Sequence, residues 1–288
     1  MGESIPLKMR QESTKAEYIS RINRVLDFID NNIEKNFSLK ELSLIALFSQ
    51  YHFHRIFKAM VGETLNQYIN RVRVEKAAGM LVAYPGKTVT EIAFDCGFSG
   101  SSAFARAFKD YFRMSATRWR SGGCREYSKN RKTDSNPGQT ESNYLQSLGK
   151  IRKDFESSNY YVSTEFNTMS NDFKWRIEMN DQKITANVEV KEVPDMMLAY
   201  VRHIGPYAGD ENLFKNLFEK IFRWAGPRGL IKFPETKTIT VYHDNPEITD
   251  QDKLRISCGI TVPEDTKADG GIGLLPIPGG KYAIAHFE

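Results

Sequence analysis

Only three of the 288 residues are cysteine, Cys96, Cys124 and Cys258, an odd number with no close pair. That excludes a disulfide framework and a thiolate metal centre, and the three read as isolated thiols. No run of about 18 apolar residues occurs, and the polar stretch from Met1 to Lys15 lacks the apolar core of a secretion signal. A cytoplasmic protein without membrane contact is expected. HExxH, GxSxG, phosphate-loop and CxxC patterns are all missing. Of the five histidines, His52, His54, His203, His243 and His286, only the first two are close. At i, i+2 on a helix they face different sides and cannot share a metal, while the other three lie in strand-like runs and read as structural. The expectation is therefore no catalytic residue, no metal, no cofactor and no enzyme.

What is present is the composition of a globular chain, 40% hydrophobic and 26% charged, with room for about two domains. Residues 1–132 hold 22 basic and 13 acidic side chains, a balance of +9, whereas the remainder holds 18 against 23, a balance of −5. Opposite signs imply two tasks, and a basic half is the footprint of a polyanion binder. Residues 121–142, rich in Gly, Ser, Asn and charge, read as the start of a linker and poorly defined segment that reaches residue 183. Within it, 144–155 could be a short helix and 160–175 weak strand or loop. Before it, apolar residues recur at helical spacing (Ile22, Val25, Leu26, Ile29, Ile33; Leu65, Tyr68, Ile69, Val72, Leu81), which predicts an all-α domain. After it come short β-branched runs at 184–193, 197–204, 238–242, 254–262 and 282–287, with one amphipathic helix over 209–224, which predicts α+β.

An internal repeat organises the helical half. Ser38 to Ser49 aligns with Thr88 to Ser99 at an offset of 50, and Phe53, Arg55, Phe57 and Lys58 align with Phe104, Arg106, Phe108 and Lys109 at 51. Ser38 with Glu41 and Thr88 with Glu91 are capping boxes that mark helix starts. Each copy thus predicts a helix-turn-helix, over 38–60 and 88–112. In the second helix of the first copy, Phe53, Ile56, Phe57 and Met60 form the inward face, leaving Tyr51, His54, Arg55 and Lys58 outward. In the other copy Phe104, Ala107, Phe108 and Tyr111 face inward, and Ser101, Ser102, Ala105, Arg106 and Lys109 outward. Arg55 and Arg106 suit bidentate contacts to guanine or phosphate, the Tyr, His and Ser side chains suit base edges, and the lysines suit the backbone of double-stranded DNA. Two major-groove entries on one face of a duplex lie about 34 Å apart, so one chain could read an asymmetric pair of boxes. The two unlike faces speak against a general nucleoid binder.

Arg73, Ala77 and Leu81, then Ile92-Ala93, Gly97-Phe98, Phe104, Arg106, Phe108-Lys109 and Trp119-Arg120 resemble the signature of AraC/XylS transcription regulators, over about residues 20–120. Departures occur where that family usually has Gly before the last short helix and Pro inside it; here Arg113 and Ala116 stand instead, and the first turn, Ala46-Leu47-Phe48, has no glycine. The resemblance implies a transcription regulator, with RNA polymerase as a further partner if it activates.

Downstream, His203-Ile204-Gly205-Pro206-Tyr207, Trp224, Tyr242-His243-Asp244-Asn245-Pro246, Leu254-Arg255, Gly259-Ile260 and Ile277-Pro278-Gly279-Gly280-Lys281-Tyr282 resemble the GyrI-like effector-binding domain, here residues 184–288. The resemblance implies two βαββ modules of SHS2 type with a small-molecule site between them, the second module largely absent before Glu288. Tyr207, Trp224, Phe233, Tyr242 and Tyr282 are candidate walls of a cleft for a hydrophobic or cationic effector, with core packing as the plain alternative. Because some GyrI-like domains hydrolyse small electrophiles, a small-molecule-binding or hydrolysing protein with a DNA-tethering domain is the alternative function.

Overall fold

The computed structural model describes residues 7–127, 161–167, 172–179, 182–184 and 187–286. The expected helix at 144–155 lies outside them. Helix α1 (Leu7–Asn31) is followed by α2 (Leu39–Ile45), α3 (Gln50–Val61), α4 (Leu65–Ala83), α5 (Val89–Asp95), α6 (Ser101–Phe112) and α7 (Ala116–Arg118). The caps are those the sequence marks. Ser38 Oγ accepts from the Glu41 amide at 3.1 Å, and Thr88 with Glu91 forms the full reciprocal box. A further box, Thr64 with Gln67, starts α4.

Helix α4 joins two small cores. Its first half contributes Leu65, Tyr68 and Ile69 to a core with Ile22, Leu26 and Ile29 of α1 and Phe53 and Phe57 of α3. Its second half contributes Val74, Ala77, Ala78 and Leu81 to a core with Ile92, Phe104, Phe108, Phe112 and Trp119. Nineteen residues at the helical rise make a rod about 28 Å long. Trp119 Nε1 donates to the Ala78 carbonyl at 3.0 Å, and Arg120 Nε to that of Leu81 at 3.2 Å, which binds the last turn to this rod. The chain stays helical beyond Ser121 to Tyr127, because Tyr127 packs on Phe112 and Trp119 at 5.2 and 5.4 Å between ring centroids. The first residues of the expected linker, through Tyr127, are thus helical, and the rest of that stretch up to residue 160 lies outside the described residues.

The turns inside the two motifs differ in chemistry at the same place. Gly97, at φ +80°, lies so close to Ile33 that an added Cβ would sit 2.4 Å from its carbonyl oxygen and 2.8 Å from Arg73 Nη2. Arg73 itself donates to the Ile33 carbonyl at 3.1 Å. The equivalent position in the first motif is Leu47, at φ +54° with its side chain largely in solvent, and Arg113 takes the same left-handed conformation after α6. Missing glycines thus leave the turns intact, at a conformational cost of about 1–2 kcal/mol each.

Beyond these helices, β1 (Tyr161–Asn167), β2 (Asp172–Met179) and β3 (Gln182–Ile184) form an antiparallel three-stranded sheet, so the described residues of the stretch read as weak strand or loop are strand. Strands β4 (Asn187–Val193) and β9 (Gly280–His286) pair with each other. Strand β5 (Met196–Ile204), helix α8 (Glu211–Ala225), β6 (Thr238–Tyr242) and β7 (Arg255–Val262) make a βαββ unit, to which β8 (Gly273–Ile277) adds on the far side of β5 in the order β6-β7-β5-β8. Strand β8 falls outside the runs that the residue pattern predicts.

One face of this sheet is ordinary core, with Ala199, Val201, Ile256, Cys258 and Ile260 against Leu217, Ile221 and Trp224 of α8. The alternate side chains, Tyr200 and Arg202 of β5 and Arg255 and Ser257 of β7, are buried as well. They face α1 and α4, so the sheet is covered on both sides and the two halves of the chain share an interface. Ile204 packs against the core of the first motif, and Ile248, in the loop between β6 and β7, belongs to that of the second.

Leu47→Gly is expected to raise the unfolding free energy by about 0.5–1 kcal/mol, because a mostly exposed leucine gives up little burial when its left-handed backbone is relieved. Gly97→Ala is expected to lower it by more than about 2 kcal/mol, from strain together with the carbonyl contact. Urea unfolding midpoints with unchanged slopes check both.

Candidate nucleic-acid interface and effector site

Helices α3 and α6 present the faces that the repeat implies. Phe53, Phe57, Phe104 and Phe108 are fully buried, with Ile56, Met60, Ala107 and Tyr111 half-buried beside them. Tyr51, His54, Arg55 and Lys58 are exposed on α3, and Ser101, Ser102, Ala105, Arg106 and Lys109 on α6. His52 is exposed on the flank of the first face. Arg55 lies over the Tyr51 ring at 5.6 Å, an arrangement that holds the guanidinium on the outward face. Neither arginine takes part in the ion pairs of the described residues, so both forks are available to an external acceptor.

The five candidate effector residues do not converge. Tyr207 and Tyr242 meet at one end of the sheet, 5.5 Å between ring centroids, with Phe214 edge-on to Tyr207 at 6.5 Å. Burial, with Tyr242 alongside, pushes the Tyr207 hydroxyl up. Trp224 is at the other end of α8, where Nε1 donates to Asp269 at 2.7 Å and Arg228 stacks on the ring at 5.1 Å. Its edge and one face are thus already occupied. Phe233 is largely exposed in the loop before β6, and Tyr282 on β9 donates to the Pro278 carbonyl at 2.6 Å. Only the Tyr207–Tyr242 pair forms an aromatic corner.

Directly behind that corner lies a polar network that the sequence does not reveal. His243, the residue after Tyr242, has Nε2 2.9 Å from Ser257 Oγ and 3.2 Å from Arg202 Nη2. A guanidinium can only donate, so this Nε2 accepts. Asp244 takes Arg255 in a fork, with Nη2 to Oδ1 at 2.7 Å and Nε to Oδ2 at 2.9 Å, and accepts from the Arg255 amide at 2.8 Å. Across the interface Arg202 Nη2 donates to Asp27 at 2.7 Å, and Tyr200 donates to the same carboxylate at 2.5 Å. Arg255 Nη1 donates to Asp30 at 2.9 Å and to the hydroxyl of Tyr68.

Adjacent on α4, Arg71 is buried between Glu63 and Glu75 at 2.7 and 3.1 Å, and Tyr111 donates to Glu75 at 2.5 Å. Burial pushes the Glu75 carboxyl up against the pull of Arg71. Asp27 and Asp30 carry no local signal, and Tyr68 signals only a buried helix face. Charged residues at i, i+3 on an amphipathic helix read as solvated, and only their partners from a distant strand show otherwise.

Burial, with Arg202 and Arg255 beside it, pushes His243 down to about 2. The unfolded imidazole takes up a proton below about pH 6.5 and the folded one does not, so its contribution is present above that pH and is lost as pH falls toward 2. Stability is expected to decline between pH 6.5 and 5 by up to ~1.4 kcal/mol per unit from this residue. His243→Gln, which keeps an acceptor but cannot titrate, is expected to flatten that decline in denaturant unfolding followed across pH.

Comparison with known proteins places these elements. Residues 42–122 match the model of a helix-turn-helix domain, and residues 186–288 that of a GyrI-like small molecule binding domain. The probable transcriptional regulator LumQ of Photobacterium leiognathi is 37% identical over 103 residues, which are 35% of this chain and 41% of that protein. The SPbeta prophage-derived YosT of Bacillus subtilis is 31% identical over 97 residues, 34% of this chain and 62% of that one. This chain therefore spans less than two thirds of each. A transcriptional regulator of Chromobacterium violaceum with an AraC-type DNA-binding domain superposes at a TM-score of 0.34 and 22% identity, over 35% of this chain and 90% of its own. No helix among the described residues is long and apolar enough to cross a membrane. The chain thus carries a match to a helix-turn-helix domain followed by a match to a GyrI-like small molecule binding domain.

Proposed function

We propose that this protein is a sequence-specific transcription regulator that reads a bipartite site in double-stranded DNA and responds to a small hydrophobic or cationic effector. The observation that carries this reading is the duplicated outward face. An unpaired arginine, followed three residues on by a lysine, stands at equivalent positions of α3 and α6, each on a helix whose opposite side is locked into a phenylalanine core. Arg55 and Arg106 contact base edges, and Lys58 and Lys109 the phosphates. Tyr51 and His54 on one face, and Ser101, Ser102 and Ala105 on the other, make the two boxes different. The aromatic corner of Tyr207 and Tyr242 is the part of the GyrI-like domain best suited to receive the effector. Trp224, with its edge and one face engaged at the other end of α8, serves the core.

Fluorescence anisotropy with the duplex upstream of the protein's own gene, against a scrambled duplex, tests the reading. An excess of ~10³ for the upstream duplex and a salt slope of several units are expected. Equal binding to both would overturn sequence specificity. Arg55→Ala and Arg106→Ala are each expected to cost about 1–3 kcal/mol on the specific duplex and to relax discrimination in one box, while Lys58→Ala weakens all duplexes alike and lowers the salt slope by about 1.

A further inference from the structure

We infer that the GyrI-like domain is the part that sets the distance and angle between the two reading helices, acting as a clamp through Asp27, Asp30 and Tyr68 on one side and Arg202 and Arg255 on the other. The inference rests on the DNA-reading assignment of α3 and α6. Helix α4 is the continuous link between the two motifs, each has its own core, and the turn at Gly97 meets Ile33 of the first core at one edge, so a tilt of one motif against the other would pivot about that contact and the middle of α4. The C-terminal domain holds both. Ile204, at the end of β5, packs on the first core, and Ile248, in the loop before β7, is buried in the second.

Between these anchors Arg255 reaches Asp30 of α1 and Tyr68 of α4 at once, and Arg202 reaches Asp27 one turn earlier on α1. Both arginine side chains are almost wholly buried, at 1% and 2% exposure, so their donors are turned to these partners and away from solvent. The outward faces of α3 and α6 stay exposed in this docked arrangement, so the clamp does not cover the DNA-reading surface. It determines how the two faces stand to each other.

The clamp is also wired to the aromatic corner. Tyr242, His243 and Asp244 are consecutive, and they are respectively a wall of the corner, an acceptor for Arg202 and the fork partner of Arg255. A shift of this strand end when the corner fills would move both arginines together. Asp27, Asp30, Tyr68, Arg202 and Arg255 are positioning residues, whose loss alters which box spacing is read and not which bases.

Binding-site selection from a random duplex library, with the full chain and with Asp27→Asn/Asp30→Asn, reads this directly. The wild type is expected to enrich two boxes at one spacing. The variant is expected to enrich the same boxes with the spacing spread by at least one base pair either way, and to bind the wild-type consensus about 10-fold more weakly. Hydrogen exchange on the same proteins is expected to show residues 244–254 and α1 protected in the wild type and at least 10-fold faster in the variant. Tyr68→Phe, which removes one hydroxyl, supplies a milder opening should the double variant lose helical circular dichroism. A variant that exchanges faster but keeps a single spacing overturns the clamp, as does a wild type whose 244–254 amides are unprotected. Enrichment of no sequence by the wild type overturns the DNA reading itself, and the clamp with it.

Discussion

Two carboxylates on one face of α1 meet two arginines on the concealed face of a sheet, and the relation between the halves of this protein depends on that meeting. Asp27 and Asp30 would be ordinary surface charges on an isolated helical domain. Covering the sheet with α1 and α4 desolvates Arg202 and Arg255, of which, among the described residues, only Arg255 has a carboxylate partner, Asp244, in its own half, at a cost of several kcal/mol for a buried cation left unpaired. Docking gives both arginines a carboxylate partner from α1, with Tyr68 supplying a hydroxyl to Arg255, Tyr200 one to Asp27, and Asp244 holding Arg255 in register. Such a network adds little net stability compared with an apolar interface of the same shape, because the desolvation offsets most of the attraction. What it contributes is direction. An apolar interface can slide, whereas charge-assisted hydrogen bonds from Arg202 to Asp27 at 2.7 Å and from Arg255, already held by Asp244, to Asp30 at 2.9 Å favour one orientation.

The helical half illustrates the complementary rule. Its two small cores are apolar, with phenylalanines packed edge-on or tilted along α3 and α6 at centroid distances of 5.7 and 5.3 Å, and they hold the helices within each motif, while backbone at Gly97 and the Arg73 hydrogen bond to Ile33 join one motif to the other. A single rod, α4, carries both, and its charged stretch, Arg71 with Glu75 and with Glu63 from the turn before the helix, lies between them. Polar groups therefore gather where two bodies must be set relative to each other, and apolar groups where one body must cohere. The same division explains why the sheet alternates: Ala199 and Val201 toward α8, Tyr200 and Arg202 toward α1.

Much of the fold is legible in the residues alone. Ser38, Thr88 and the phenylalanines at i, i+4 locate the helix starts and buried faces of both motifs, because capping and amphipathic spacing are local properties. The outward Arg55 and Arg106 follow by subtraction. Turn tolerance is less legible: Leu47 and Arg113 occupy left-handed positions that glycine usually fills, and only the surrounding contacts hold them there. The aromatic candidates fare unevenly, since Tyr207 and Tyr242 meet while Trp224 is engaged by Asp269 and Arg228 at the other end of α8. Aromatic type and position in a run cannot say which ring is covered.

By itself the sequence determined the duplicated helix-turn-helix, the charge asymmetry, the βαββ order and the residues that point outward from α3 and α6. Each of these depends on neighbours within a few turns of chain. Tertiary structure alone decided that Asp27, Asp30 and Tyr68 are the partners of Arg202 and Arg255, at separations of more than 170 residues. A buried charge looks like a surface charge until the strand that desolvates it is in place. That is why the junction between the two halves, more than either half, had to be seen in three dimensions.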